Sequence, residues 1–195
     1  MKIDLEKSFP IPANAEAGWK FLQDIPGVAG CMPGAEITEA VDAQHYRGKV
    51  KTKVGPATMA FNGEIKVGGV DAGRKEIKLL ASGQDTKGTS TAEMDLTAWV
   101  VEAGDDNCEL KGEAAVTING KAASLGGRLM KQVADQVLNQ FGKNFSDNVI
   151  ALGDDPAAEE AKEQLSSQPK ELNALALFWK ALVGFFAGLF GSRNR

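Results

Sequence analysis

The sequence has few of the residues that metal-binding and catalytic sites use most often. Its 195 residues include one histidine and two cysteines. His45, Cys31 and Cys108 lie too far apart along the chain for the spacing of a structural zinc site. No glycine-rich phosphate loop and no nucleophile elbow occurs in the context that either motif requires. We therefore expect no metal and no covalent cofactor.

The sequence also lacks an apolar run at its start and an excess of positive charge. The segment MKIDLEKSFP predicts no secretory signal, and two isolated thiols suit a reducing cytosol. The formal net charge is −4, with a body close to neutral. A nucleic-acid-binding module would show a basic face instead. We expect a cytoplasmic protein that has no nucleic-acid partner.

Apolar and polar residues alternate from residue 36 to residue 119, and this period of two predicts β-strands. Glycine-rich or acidic turns separate the runs, so the strands form an antiparallel meander with one face in water. The segment 2–9 alternates in the same way and predicts a first strand that Pro10 and Pro12 end.

Two helical patterns flank the predicted sheet. Asn14 is placed to cap a short helix that ends near Gln23, and the segment 24–35, DIPGVAGCMPGA, allows only a short helical turn and a kinked loop. A long helix is predicted from residue 124 or 125 to about residue 152, because large apolar residues recur every four positions. This helix has one natural place, across the concave face of the sheet.

The inward-facing strand positions mix large residues with small ones such as Gly48, Gly63 and Gly112. The pattern leaves two interpretations open: a cavity between sheet and helix, or a core that the helix fills. The candidate ligand-binding residues on the strands are Met59, Phe61, Leu79, Ala92, Met94, Leu96, Ala114 and Val116. Those on the kinked loop and the long helix are Met32, Pro33, Leu129, Val133, Val137 and Phe141.

The last quarter of the chain differs from the rest. Residues 153–171 are acidic and contain no aromatic residue, whereas residues 172–191 contain a single charge, Lys180. Such an apolar segment on a polar tether is buried in a bilayer, in a partner protein or against its own domain. We therefore divide the chain into a ligand-binding domain at 1–152, an acidic tether at 153–171 and a membrane-associating amphipathic helix at 172–195.

The apolar segment is long enough to span a bilayer as a helix. Lys180 at its middle and the two arginines beyond it, Arg193 and Arg195, oppose a simple span from a cytoplasmic body. A helix that lies in the membrane interface fits these charges better. The predicted membrane-contacting residues are Leu175, Phe178, Trp179, Leu182, Phe185, Phe186, Leu189 and Phe190.

The whole pattern resembles the α+β helix-grip fold of START-like carriers and polyketide cyclases, a curved antiparallel sheet wrapped round a long C-terminal helix. Within this fold it is most similar to the family of the carbon monoxide dehydrogenase G subunit. The resemblance covers nearly all of residues 1–152. It is carried by DIPGVAGCMPGA at 24–35, KVGPATMAFNGEIKV at 53–67, ASGQDTKGTSTAEMDL at 81–96 and KGEAAVTINGKAASLGGRLMKQVADQVLNQFGKNF at 111–145.

The resemblance implies a non-enzymatic accessory protein of a molybdenum-containing enzyme of the carbon monoxide dehydrogenase type. It implies that the protein brings this enzyme to the cytoplasmic face of the cell membrane. Relatives of this fold bind apolar molecules between sheet and helix, and a membrane quinone is the physically apt ligand. The alternative is a recruitment or assembly factor with no ligand of its own.

The remaining polar residues favour binding over chemistry. Cyclases and hydrolases of this broad fold carry acid–base groups inside the cavity, whereas the inner set here is almost wholly apolar, with Tyr46 and Thr52 as exceptions. His45 is expected at an exposed turn. The strand lysines and Arg47 form a basic strip that is either solvated or a docking surface. Met32 and Pro33 would lie near the cavity mouth, as a gate or as part of a plain connection.

Overall fold

The computed structural model describes residues 1–54, 57–153 and 156–167. The regular elements of the described chain are seven strands, four α-helices and one short 3-10 helix at Lys121–Leu125. In chain order they are β1 (Lys2–Ile11), α1 (Ala15–Leu22), α2 (Ile25–Cys31), β2 (Ala35–Ala40), β3 (His45–Val54), β4 (Ala57–Asp71), β5 (Glu76–Asp85), β6 (Ser90–Glu102), β7 (Cys108–Gly120), α3 (Gly127–Ile150) and α4 (Pro156–Ser167).

The strands of the described residues form a seven-stranded antiparallel sheet in the order β1-β7-β6-β5-β4-β3-β2. The strands β2 to β7 pair in chain order, and the last strand, β7, pairs with the first strand, β1. The predicted helix-grip architecture is confirmed.

Pro10 does not end β1 as expected, and the strand continues to Ile11. Because β1 is an edge strand, a missing N–H on its free side disrupts no ladder.

Side chains at the helix starts explain where α1 and α2 begin. The Asn14 side chain accepts a hydrogen bond from the Ala17 amide at 2.9 Å, as the sequence predicts. The Asp24 carboxylate accepts one from the Gly27 amide at 3.1 Å. With this cap and a proline in the first turn, 25–31 forms a full α-helix where only a short helical turn was expected.

Two apolar clusters pack the two ends of the sheet. The large cluster joins α1, α2 and the last part of α3 to the sheet and includes Trp19, Leu110 and Phe145. The small cluster consists of Ile3, Ile118 and Ala122 with partly buried neighbours. Between them, inward-facing residues such as Leu5 and Met94 are only half-buried. The interior is therefore packed at both ends and open in the middle.

A close contact between α3 and β1 fixes the position of the long helix. Gly142 is buried, and a methyl group at its Cα would overlap the Phe9 ring, with Cε1 only 2.6 Å away. Phe9 in turn packs edge-on against Phe141, with the ring centroids 6.0 Å apart. Phe145, on the next turn, packs edge-on against Phe21 of α1 at 5.0 Å. The C-terminal half of α3 is thus anchored by aromatic rings.

The described part of the acidic tether contains the helix α4, which packs against α3 and in which Ala158 and Ala161 are buried. The predicted amphipathic helix at 172–195 and its membrane-contacting residues lie outside the described residues. None of the helices in the described ranges has the length and hydropathy needed to cross a membrane.

The Gly142→Ala substitution tests the contact between α3 and β1. Overpacking against the Phe9 ring costs about 1–3 kcal/mol, whereas alanine in place of glycine favours a helix by about 1 kcal/mol. Because Phe141 and the sheet hold the Phe9 ring, we expect an overpacking cost near the top of its range and a net loss of about 2 kcal/mol in the free energy of unfolding. Denaturant unfolding followed by circular dichroism measures it.

The matched control is Gly30→Ala, since Gly30 also lies in a helix but has no atom within 4 Å of the added methyl group. This variant should be as stable as the parent protein or slightly more stable. Equal effects of the two substitutions would show that the Phe9 contact does not position α3.

Candidate functional site

A cavity of about 500 Å³ occupies the open middle of the sheet, on its concave face. Its walls are the strands β1 to β7, the end of α1, the helix α2 and the middle of α3. The volume lies within the range of about 300–1,000 Å³ that is usual for small-molecule sites. Of the two interpretations that the sequence left open, the structure shows the cavity rather than a filled core.

Nine of the candidate ligand-binding residues line this cavity. On the strands they are Phe61, Leu79, Ala92, Met94, Leu96, Ala114 and Val116, and on the helical side they are Met32 and Phe141. Ala92 lies near the start of β6 and Ala114 in the middle of β7, and larger side chains at these two positions would fill the space. The small residues that stood out in the sequence therefore border the open volume.

The other five candidates do not line the cavity. Met59 packs against the small cluster, and Pro33 follows the lining residue Met32 in the loop before β2. Leu129, Val133 and Val137 lie on the first half of α3. Residues four apart on a helix differ in direction by about 40°, so a stripe with this spacing turns by about 120° between Leu129 and Phe141. The stripe faces the cavity only near Phe141.

Sequence reasoning missed part of the lining. Leu5, Lys7 and Phe9 of β1 and Leu138 of α3 all border the cavity, and the alternation of the first strand is the signal that could have found the first three. Ile25, Val28 and Ala29 border it from α2. Their contribution depends on a helix that the proline and glycines of this segment did not predict.

The lining is almost wholly apolar on its inner side. Several charged residues border the cavity, but their outward strand positions turn the side chains toward the other face of the sheet. Glu36 pairs there with Lys49 at 3.0 Å, and Glu64 pairs with Arg47 at 3.3 Å. Lys7 is the exception in the described chain, because it lies between Leu5 and Phe9 on the inward side of β1.

The outer face carries the polar cluster around His45. His45 begins β3 and is not at an exposed turn, since its Nε2 lies 3.1 Å from Glu64 Oε2 and its side chain is 21% exposed. Arg47 bridges Glu64 and Glu39, so hydrogen bonds from His45 and then Arg47 lower the pKa of the Glu64 carboxyl. The basic strip is therefore partly neutralised by strand neighbours. His45 and Glu64 lie across the sheet from the cavity.

Polar contacts from α3 fix the segment that leads to the cavity-lining residue Met32. The Asn144 side chain donates to the Cys31 carbonyl at 2.9 Å, immediately before Met32. The Cys31 thiol donates to the Gly27 carbonyl at 3.4 Å, and Asn148 Nδ2 lies 3.6 Å from Cys31 Sγ. Burial, followed by the nearby Asp147 and Asp24 carboxylates, raises the pKa of Cys31 to about 12. Met32 is thus held at the edge of the cavity.

The described residues contain no group of three or more His, Cys, Asp or Glu that could hold a metal ion. Cys31 and Cys108 are free thiols, and both are buried.

The match to a protein-family model identifies the family of this chain. The family model for the G subunit of carbon monoxide dehydrogenase (CoxG) matches residues 8–150. The chain belongs to the CoxG family. The matched range runs from β1 to the end of α3 and so includes the cavity. A search of curated proteins gave no match.

Solved structures place the CoxG domain in the START-like fold. A conserved protein from Geobacillus kaustophilus has a TM-score of 0.67 at 19% identity, over 75% of this chain and 95% of that one. A START superfamily protein from Mycobacterium smegmatis has a TM-score of 0.55 at 16% identity, over 77% and 99%. The Zhui aromatase/cyclase from Streptomyces sp. R1128 has a TM-score of 0.56 at 12% identity, over 76% and 94%. These identities show a shared fold, and the named functions include an enzyme.

The raised pKa of Cys31 predicts a loss of stability at alkaline pH. An unfolded chain releases the thiol proton near the ordinary value of 9.0, whereas the folded protein retains it until about 12. Stability from this group is complete below pH 9.0 and is lost as pH rises toward 12. Tyrosine and lysine titrate in the same window, so the measurement is the difference between the parent protein and Cys31→Ser.

We expect the denaturation midpoint of Cys31→Ser to fall less steeply than that of the parent protein across this pH window. The same slope in both proteins would mean that the Cys31 thiol ionises normally in the folded state.

The cavity predicts that CoxG tolerates a large residue where an ordinary core would not. Ala114 lines the open volume opposite Leu5 and Leu96 on the neighbouring strands. Ala114→Trp should therefore cost less than about 1 kcal/mol in the free energy of unfolding, whereas overpacking of a filled site costs about 1–3 kcal/mol or more.

The control is Ala122→Trp, because Ala122 is 2% exposed within the small cluster. Thermal melts of the two variants provide the comparison. An equally large loss at Ala114 would show that the interior is filled there.

Proposed function

We propose that this CoxG-family protein is a non-enzymatic accessory protein that binds a lipophilic molecule, a membrane quinone, in its cavity. In this role it links a molybdenum-containing enzyme of the carbon monoxide dehydrogenase type to the cytoplasmic face of the membrane. The observation that carries the proposal is the apolar cavity between two packed clusters. The family description supplies the enzyme partner.

The shape of the interior supports a bound apolar molecule. Side chains such as Met94 and Leu96 are half-buried in the middle of the sheet although they face inward. An apolar wall without partner atoms loses dispersion contacts, and an apolar ligand restores them. Met32 and Met94 can adapt to a ring or an isoprenoid chain, because methionine side chains are flexible and polarisable.

A quinone fits the role as well as the space. It accepts electrons and is held in the bilayer, so a soluble dehydrogenase needs another protein to reach it. Its ring and chain are apolar and its carbonyl oxygens are acceptors, which suits a described lining of apolar residues with the inward-facing ammonium group of Lys7.

The cavity is poorly equipped for acid–base catalysis. Such chemistry needs a group with a suitable pKa within hydrogen-bond reach of the substrate. Among the described inward-facing residues that line the cavity, Lys7 is the only charged one, and it is paired with Asp135. The histidine lies on the outer face. We therefore favour a carrier over a cyclase-like enzyme.

Membrane association rests on the sequence of residues 172–195. Its large apolar residues and its terminal arginines suit a helix in the interface of an acidic membrane. A carrier tethered in this way would keep its cavity close to the lipid from which a quinone is taken.

Quinone content is the direct test. The full-length protein is produced in a host whose membranes contain quinones and is purified in mild detergent. Its organic extract is then analysed by mass spectrometry. We expect up to one quinone per protein molecule in the parent and much less in Ala114→Trp, which fills the cavity but keeps the tail.

A variant without residues 172–195 should move from the membrane to the soluble fraction with its domain folded.

Two results would contradict the proposal. Equal quinone in the parent protein and in Ala114→Trp would place the molecule in co-purified membrane rather than in the cavity. No quinone in any preparation, with membrane binding retained, would favour the recruitment factor without a ligand of its own.

A further inference from the structure

Lys7 is the one charged residue in the described chain that lines the cavity from an inward strand position. It lies on β1 between Leu5 and Phe9, and all three residues border the cavity. Its side chain is 31% exposed. A partly buried lysine among apolar residues loses part of its hydration, and a polar partner offsets this loss.

The strand next to Lys7 leaves room beside it. Lys7 pairs across the sheet with Gly112 of β7, which also borders the cavity and has no side chain. A methyl group added to Gly112 would meet Leu96 Cδ1 at an ordinary distance of 3.7 Å. The aliphatic part of Lys7 therefore lies next to open volume rather than against a large cross-strand neighbour.

Asp135 of α3 holds the end of the lysine side chain. The distance from Lys7 Nζ to Asp135 Oδ1 is 2.8 Å, and the Asp135 side chain is 56% exposed. An ammonium group has three N–H donors. Asp135 occupies one of them, and the structure gives Lys7 Nζ no second acceptor among the described residues. The remaining donors lie beside Asp135, about one helical turn from Leu138, which lines the cavity.

We propose that Lys7 is the residue that sets ligand specificity in this cavity, by donating a hydrogen bond to a carbonyl oxygen of an otherwise apolar ligand. This inference rests on the proposed function and adds which atom of the protein recognises the polar end. The apolar remainder of the ligand extends along Met94 and Leu96. The arrangement selects lipophilic molecules that have a ring carbonyl over pure hydrocarbons.

The net charge of the Lys7–Asp135 pair determines whether a neutral carbonyl or a carboxylate is the better ligand acceptor. Lys7 and Asp135 together carry no net charge, so a carboxylate ligand would meet the repulsion of Asp135 as well as the attraction of Lys7. A neutral carbonyl oxygen meets no such repulsion. The pair therefore favours a quinone-like ligand over a fatty acid. Removing the Asp135 charge should shift the preference toward an anion.

The test uses three probes with the same ring system: menadione, which has ring carbonyls, methylnaphthalene, which has none, and naphthoate, which has a carboxylate. Dissociation constants are measured by calorimetry with the full-length protein. The parent should bind menadione about tenfold or more tightly than methylnaphthalene, the range expected for a hydrogen bond to a charged donor. Lys7→Met should lose this preference while its binding of methylnaphthalene stays the same or improves.

Three further variants complete the design. Lys7→Arg keeps a cationic donor and should keep the preference for menadione. Asp135→Asn should bind naphthoate several-fold more tightly than the parent does. Lys2→Met is the matched control, because Lys2 is on the outward side of the same strand and is well exposed.

The outcomes separate the two proposals. Binding of menadione and methylnaphthalene by the parent, with an unchanged preference in Lys7→Met, would refute the role of Lys7 and leave the carrier function intact. An effect of Lys2→Met as large as that of Lys7→Met would refute it as well. If the folded parent bound none of the three probes, both the carrier function and the role of Lys7 would be wrong.

Discussion

The contact of Gly142 with the Phe9 ring determines where the long helix lies, and the cavity follows from that position. With no side chain at Gly142, α3 approaches β1 closely at this one level. Phe141 and Phe145 then pack on both sides of the contact and connect α3 to β1 and α1. The helix is therefore fixed at its C-terminal half, while its middle passes over small strand residues that do not reach it.

The cavity exists because packing is uneven along the strands rather than poor everywhere. On β7, Leu110 and Ile118 are buried at the two ends, and Gly112 and Ala114 lie between them. The packed ends supply the burial that stabilises the fold, so the middle can remain open for a ligand. Stability and binding thus depend on different parts of the same strands, and Leu79 and Leu110 belong to both the large cluster and the cavity wall.

The sequence predicted the sheet better than the helical side of the site. Side chains along a strand alternate between the two faces of the sheet, so the sequence assigns each strand residue to a face. A curved sheet directs one whole face inward, and Met94, Leu96 and Ala114 could therefore be placed correctly. A helix stripe with a spacing of four drifts around the axis, so Val133 and Val137 could not be placed without knowing where α3 contacts β1. The proline and glycines of the segment 24–35 also did not predict α2. This helix depends on the Asp24 cap and on the hydrogen bond from Asn144 to the Cys31 carbonyl.

The edges of the sheet are protected as well as its centre. Pro10 removes an N–H group from the free side of β1, and a register shift between Ile37 and Glu39 distorts β2 at the other edge. Regular edge strands present unpaired backbone groups on which a strand of another molecule can add, and prolines and bulges are the usual protection. The two irregular edges therefore limit strand addition from another molecule, while the middle of the sheet between them stays open.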